Sequence, residues 1–169
     1  MKTIITKTII ALALSLSASV AAAEGVPAWI CNLNFNGVST GVQVIVGFSE
    51  FKGAGNVSCL SASGAKVDYP VVVKMKASPV APRISLGRMH LYGEALQVAI
   101  SNGTPEALLG NYVVAQGRAA IIGGVGVITA VRAADENLSL SISLQLTKGL
   151  GIDLGFSKLK IELDQSRMN

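Results

Sequence analysis

From Leu138 to Thr147 the chain alternates without a break. Leu138, Leu140, Ile142, Leu144 and Leu146 are aliphatic, and Ser139, Ser141, Ser143, Gln145 and Thr147 between them are polar. A period of two sends the two sets to opposite faces of an extended strand, whereas on a helix the same letters would wrap apolar groups all the way round. The stretch predicts a half-buried strand whose aliphatic face needs a partner surface.

Much of the remaining chain repeats the pattern. Trp29, Cys31, Leu33 and Phe35 alternate with Ile30, Asn32 and Asn34, and Asn36-Gly37 then reads as a turn. Gly41 to Glu50 carries Val42, Val44, Val46 and Phe48 on one face. Lys52-Gly53-Ala54-Gly55 reads as the turn into a third short strand, Asn56 to Leu60. Lys66 to Lys76 sets Val67, Tyr69, Val71, Val73 and Met75 against a polar face. Pro70 has no N–H to give a ladder, which places it at an edge or a bulge. Alternation is weaker around Gly87 and Gly93 and resumes at Leu96, Val98 and Ile100. Thr104-Pro105 opens one helical turn that ends by Gly110.

Tyr112 to Val131 is small or apolar on both faces, so it is expected to be the most buried strand. Gly123, Gly124 and Gly126 remove side chains there, beside Val125. Asp135-Glu136-Asn137 leads into the alternating strand and Lys148-Gly149-Leu150-Gly151 leads out. The apolar phase slips between Phe156 and Leu159, which requires a bulge near Ser157-Lys158. The sum is an all-β domain of eight to ten strands with little helix, built as an antiparallel barrel or a two-sheet sandwich. The barrel is preferred, because in-strand glycines and a phase slip both curve a sheet.

Residues 1–23 have the form of a secretory leader. Lys2 and Lys7 charge the front, Ile9 to Leu16 is apolar, and Ala21-Ala22-Ala23 offers a cleavage site. Of 169 residues, removing 23 leaves 146, enough for one domain with a real core, expected over 24–169. The expected compartment is the bacterial periplasm or the exterior. Net charge falls from +4 to +2 because Lys2 and Lys7 leave with no acid, a balance too mild to imply a nucleic-acid partner. No segment is long enough to span a bilayer as a helix. An outer-membrane barrel would also alternate, but few aromatics are present to form girdles, and none ends the chain at Ser166-Arg167-Met168-Asn169.

Cys31 and Cys59 are the only cysteines, and outside the cytoplasm a pair is most simply a disulfide. Closing a loop of that length stabilises by about 3.5 kcal/mol through chain entropy. With the intervening segment read as a strand, the bond would join a first strand to a third and call for a splayed or closed sheet.

The order of several short motifs resembles the exported bacterial proteins grouped as domain of unknown function 992. They are the leader, the cysteine-bearing first strand, Gly47-Phe48-Ser49, Cys59, Gly110-Asn111-Tyr112, Gly124-Val125-Gly126, and Lys148-Gly149-Leu150-Gly151-Ile152-Asp153-Leu154. The resemblance covers most of the chain after the leader except Pro79 to Gly103. It implies a fold and a compartment, and it brings no catalytic residues with it.

Catalytic chemistry is not legible. His90 is the lone histidine, the acids are scattered, no serine sits in a Gly-x-Ser-x-Gly elbow, and Gly123-Gly124-Val125-Gly126 lacks the Lys-Ser/Thr of a phosphate loop. No metal, cofactor or enzyme activity is therefore expected. Two features carry weight. Lys66, Lys74 and Lys76, with Arg83 and Arg88, form a basic region suited to an anionic surface. Gly123, Gly124, Val125 and Gly126 could relieve a barrel interior enough to admit an apolar ligand. The expectation is a non-enzymatic envelope protein holding a lipid-like molecule in a small barrel. Its alternative is a solid-core module that binds an envelope or target protein through an edge strand or the basic face.

Overall fold

A computed structural model describes residues 27–43, 50–77, 85–115, 124–151 and 156–168, leaving aside the side chains of 41–43, 85–87, 115, 136 and 149–151. The strands are β1 (Trp29–Gln43), β2 (Glu50–Ser61), β3 (Lys66–Ala77), β4 (Ser85–Ile100), β5 (Gly110–Ala115), β6 (Val125–Arg132), β7 (Asp135–Gly151) and β8 (Phe156–Leu163). Their order is β1-β2-β3-β8-β5-β6-β7-β4, and β4 returns to β1, so the sheet is a closed barrel. Every ladder is antiparallel. No α-helix occurs among the described residues, and none of them forms a helix long and apolar enough to cross a membrane.

The alternating stretch does what its period demands. Leu138, Leu140, Ile142 and Leu144 of β7 are buried inside, and Ser139, Ser141 and Ser143 are exposed outside. The bulge expected near Ser157 is present: Lys76 faces Lys158 while Ala77 faces Phe156, which leaves Ser157 as the extra residue. Pro70 lies in β3, between β2 and β8, and its carbonyl accepts from the Asp164 N–H at 2.8 Å. Its polar edge thus faces β8 just beyond the last β3–β8 pair, Val71 with Leu163, where a missing N–H costs no ladder bond.

Several glycines expected in turns lie inside strands. β1 runs unbroken through Asn36-Gly37, β2 through Lys52 to Gly55 and β7 through Lys148 to Gly151, and β4 continues through Gly87 and Gly93, where the alternation is weaker. Gly37, Gly53, Gly55 and Gly93 are needed for a missing Cβ rather than for a positive φ. Cβ atoms there would strike facing backbone or the rings of Phe35 and Phe51. Consequently Cys31 and Cys59 sit on adjacent strands as direct cross-strand partners, bonded to each other inside the barrel. The first-to-third connection read from the sequence becomes a first-to-second one.

Among the described residues, side chains pointing inward form one hydrophobic core. Phe35 and Phe51 meet edge to face at 5.7 Å between ring centres, surrounded by Leu33, Met75, Leu91 and Leu144, each essentially fully buried. Of the stretch Tyr112 to Val131, expected to be the most buried, residues 116–123 lie outside the described residues, and the described parts in β5 and β6 are buried on one side only. Ile128 and Ala130 point in, while Val125 and Val127 are 54% and 52% exposed.

The end of the barrel where β1 begins is capped by the β4–β5 connection. A 3-10 turn over Pro105–Leu108 buries Pro105 and Leu108, and Thr104 holds the cap position without a side-chain cap bond. The Tyr112 hydroxyl donates to the Leu108 carbonyl at 2.7 Å, and burial pushes its pKa up. The Tyr69 hydroxyl donates to Glu106 at 2.5 Å; burial first, then this bond and the adjacent charge, push Tyr69 up to about 12.

Candidate functional site

On the outer wall of the barrel, among the described residues, charge is concentrated in one region. Alternation along β2, β3 and β8 turns Lys52, Lys74, Lys76, Lys158 and Lys160 outward while Phe51, Val73, Met75, Leu159 and Ile161 point in. The register then sets the lysines side by side. Lys52 faces Lys74 and Lys74 faces Lys160, a row of three across β2, β3 and β8. In the next row Glu50 faces Lys76 and Lys76 faces Lys158. Strand spacing near 4.8 Å puts all five ammonium-bearing positions within about 10 Å by 7 Å of sheet.

Like charges placed directly opposite oppose folding, on the order of 0.2–1 kcal/mol per pair. One carboxylate offsets part of this. Glu162 takes Lys74 and Lys160 together, each at 2.6 Å, and the hydrogen bonds from Lys160 and then Lys74 hold its carboxyl down at about 2. Lys76 lies 3.9 Å from Glu50. Lys52 and Lys158 have no ion-pair partner among the described residues. The described carboxylates Asp68, Glu94, Glu106, Asp135 and Asp164 sit toward the capped end, together with Lys66, Arg132 and Arg167, so the excess of positive charge lies toward the end that holds the lysine rows. A shallow groove of about 660 Å³ opens among the lysines, floored by Leu159 and Tyr112 and edged by Asn111 and Val113 of β5.

Of the basic residues singled out in the sequence, the fold brings Lys74 and Lys76 into this cluster. Lys66 lies at the other end of β3, opposite Leu60. Arg88 is on β4, aligned with Lys76 through Thr40 and Glu50 but three strands away. Arg83 lies outside the described residues. Lys52, Lys158 and Lys160 were missed. Lys158 and Lys160 alternate with Leu159 and Ile161, a readable signal of an outward face, but nothing local says that this face adjoins β3.

Of the glycine-rich set, Gly124 precedes β6, and Val125 and Gly126 begin it. Gly123 lies outside the described residues. Gly124 is a turn residue with φ +90° whose carbonyl accepts from the Leu146 N–H at 2.7 Å. Val125 faces solvent, and Gly126 is half-buried. His90 is exposed on the outer face of β4, where its backbone carbonyl accepts from the Thr147 hydroxyl at 3.1 Å.

No protein-family model and no curated protein sequence matches the chain. Among solved structures it is similar to a beta-barrel-like, uncharacterized protein from Brucella abortus, at 15% identity over 77% of this chain and 71% of that one, with a TM-score of 0.39.

Proposed function

We propose that this protein is an exported, non-enzymatic module with a solid core, which works through the basic outer face over β2, β3 and β8. The observation that carries the reading is the row Lys52–Lys74–Lys160, three like charges placed opposite one another in a chain with only 14% charged residues. Such a row opposes folding, and an anionic partner relieves it. Export is supported by the leader-like residues 1–23, by the buried Cys31–Cys59 disulfide and by the short motifs resembling domain of unknown function 992. An aqueous setting is supported by the outward positions Asn32, Asn34, Ser139 and Ser141, the reverse of a lipid-facing barrel. A lipid held inside would have to displace Phe35, Phe51 and their neighbours, which already occupy that space.

Native mass spectrometry of protein purified from its own host tests this directly. The expected spectrum contains the bare processed chain, and a stoichiometric lipid adduct surviving desalting would contradict the solid-core reading.

A further inference from the structure

We infer that the lysine cluster on β2, β3 and β8 is a binding site for a group carrying two or more phosphates. The inference rests on the outer-face reading above and names the chemistry of its partner. Five of the twelve Lys and Arg that follow residue 23 (14 in all, less Lys2 and Lys7) stand in this one patch. Each is a lysine. An ammonium is a compact point charge with three donors, which suits phosphate oxygens approached from several directions, whereas planar bidentate recognition calls for arginine. The patch measures about 10 Å by 7 Å, the size of a group with two or three phosphates rather than of a long polyanion. The groove between the ammonium groups gives such a group a seat, with Asn111 as an added polar edge and the Glu50 carboxylate, 3.9 Å from the Lys76 ammonium, also in its lining. Tyr112, the aromatic residue in its lining, is buried with its hydroxyl on the Leu108 carbonyl and presents no ring face to stack a base, which argues against a nucleic-acid strand.

Glu162 has a definite part. With no ligand it bridges Lys74 and Lys160, and a phosphate entering the patch competes with its carboxylate for the same two ammonium groups. Removing that carboxylate leaves two lysines free for the ligand. A lysine site that served only to keep the surface soluble would show no such competition.

The test is titration of the full-length protein, expressed with its own leader and purified, against inorganic tripolyphosphate and, separately, inorganic monophosphate. Tripolyphosphate is expected to bind at least tenfold tighter than monophosphate. The paired substitutions Lys52→Gln/Lys160→Gln should weaken tripolyphosphate binding at least tenfold, Lys148→Gln on β7 should change it less than twofold, and Glu162→Gln should tighten it severalfold. Circular dichroism of each variant verifies the fold. A second arm uses phosphatidylcholine vesicles with cardiolipin, whose headgroup carries two phosphates, or with phosphatidylglycerol, which carries one, at equal total charge. Binding that prefers cardiolipin and falls with the same lysines assigns the phosphates to a lipid headgroup, and binding to tripolyphosphate alone assigns them to a soluble ligand; both support the site. Absence of binding in both arms, or binding indifferent to Lys52→Gln/Lys160→Gln, overturns it. In that event association with washed cell envelopes separates the two claims. If the lysine variants still release the protein, the outer-face reading stands without phosphate; if they do not, both fall.

Discussion

Phe35 and Gly93 face each other across the β1–β4 ladder, and the phenyl ring lies over the space that a Cβ on Gly93 would take. The other register partner of Phe35 is Gly55, where a Cβ would come within 2.8 Å of the Phe35 Cβ. A large ring is thus flanked on both neighbouring strands by residues without side chains, which lets it lie flat in a narrow barrel. The same device recurs one layer away, where Gly53 makes room for Phe51. Glycine in these strands is filled space, with an aromatic doing the filling.

Substitutions should rank by what the new Cβ meets. Gly93→Ala presses on the far end of a ring that can shift slightly, and is expected to cost about 1–3 kcal/mol as overpacking. At Gly37 the new atom meets the backbone of Gly53 and Lys52, which cannot give. Gly37→Ala should therefore cost more than Gly93→Ala, as a larger drop in the urea midpoint at unchanged slope. The opposite order would show that the glycines serve some other purpose.

The core holds one polar side chain that gains nothing from being there. Ser39 is fully buried between its register partners Phe51 and Met89, and its hydroxyl has no hydrogen-bond partner among the described residues. Desolvating an unpaired hydroxyl costs about 1–3 kcal/mol. Ser39→Ala is expected to be neutral or to raise stability by about 1 kcal/mol, read from chemical denaturation. A clear loss would reveal a partner for the hydroxyl.

Acid should weaken the lysine face in a definite window. The Glu162 carboxyl is held at about 2 in the folded chain against an ordinary value near 4.5, so its stabilising contribution is complete above the unfolded value and disappears as pH falls toward 2. Wild type is expected to melt higher than Glu162→Gln at pH 7, with the gap closing between about pH 5 and pH 2. A gap that persists at pH 2 would mean the two ion pairs are not its source.

How much of this was legible before the fold was known depends on whether the information is local. The alternation of Leu138 to Thr147 specifies a strand by itself, and the phase slip between Phe156 and Leu159 specifies a bulge, because both are properties of one ribbon. The glycines misled, since Asn36-Gly37 reads as a turn from local preference while Gly37 actually makes room for the backbone of Lys52 and Gly53 on the facing strand. That error split one long strand into two and moved the disulfide one strand too far. The lysine site was legible only as Lys74 and Lys76. Lys160 lies 86 residues after Lys74, and their adjacency exists only once β8 takes its place beside β3.

The disulfide contributes mainly by restricting the unfolded chain. Cys31→Ala/Cys59→Ala is expected to lower stability by about 3–4 kcal/mol while leaving the β-rich circular dichroism spectrum intact. Because both sulfurs are buried, reduction of the folded wild-type protein should be slow in mild thiol and fast only in denaturant. Rapid reduction of the folded protein would argue that β1 and β2 separate readily.

The central claim is that the barrel is full and acts from its outside, and an uncharged apolar dye tests it most directly. N-phenyl-1-naphthylamine, which brightens on entering an apolar cavity and is not drawn to lysines by charge, should show no saturable fluorescence increase with the folded protein. A one-to-one saturating increase, abolished by denaturation and displaced by a fatty acid, would show a ligand chamber where this account places Phe35 and Phe51.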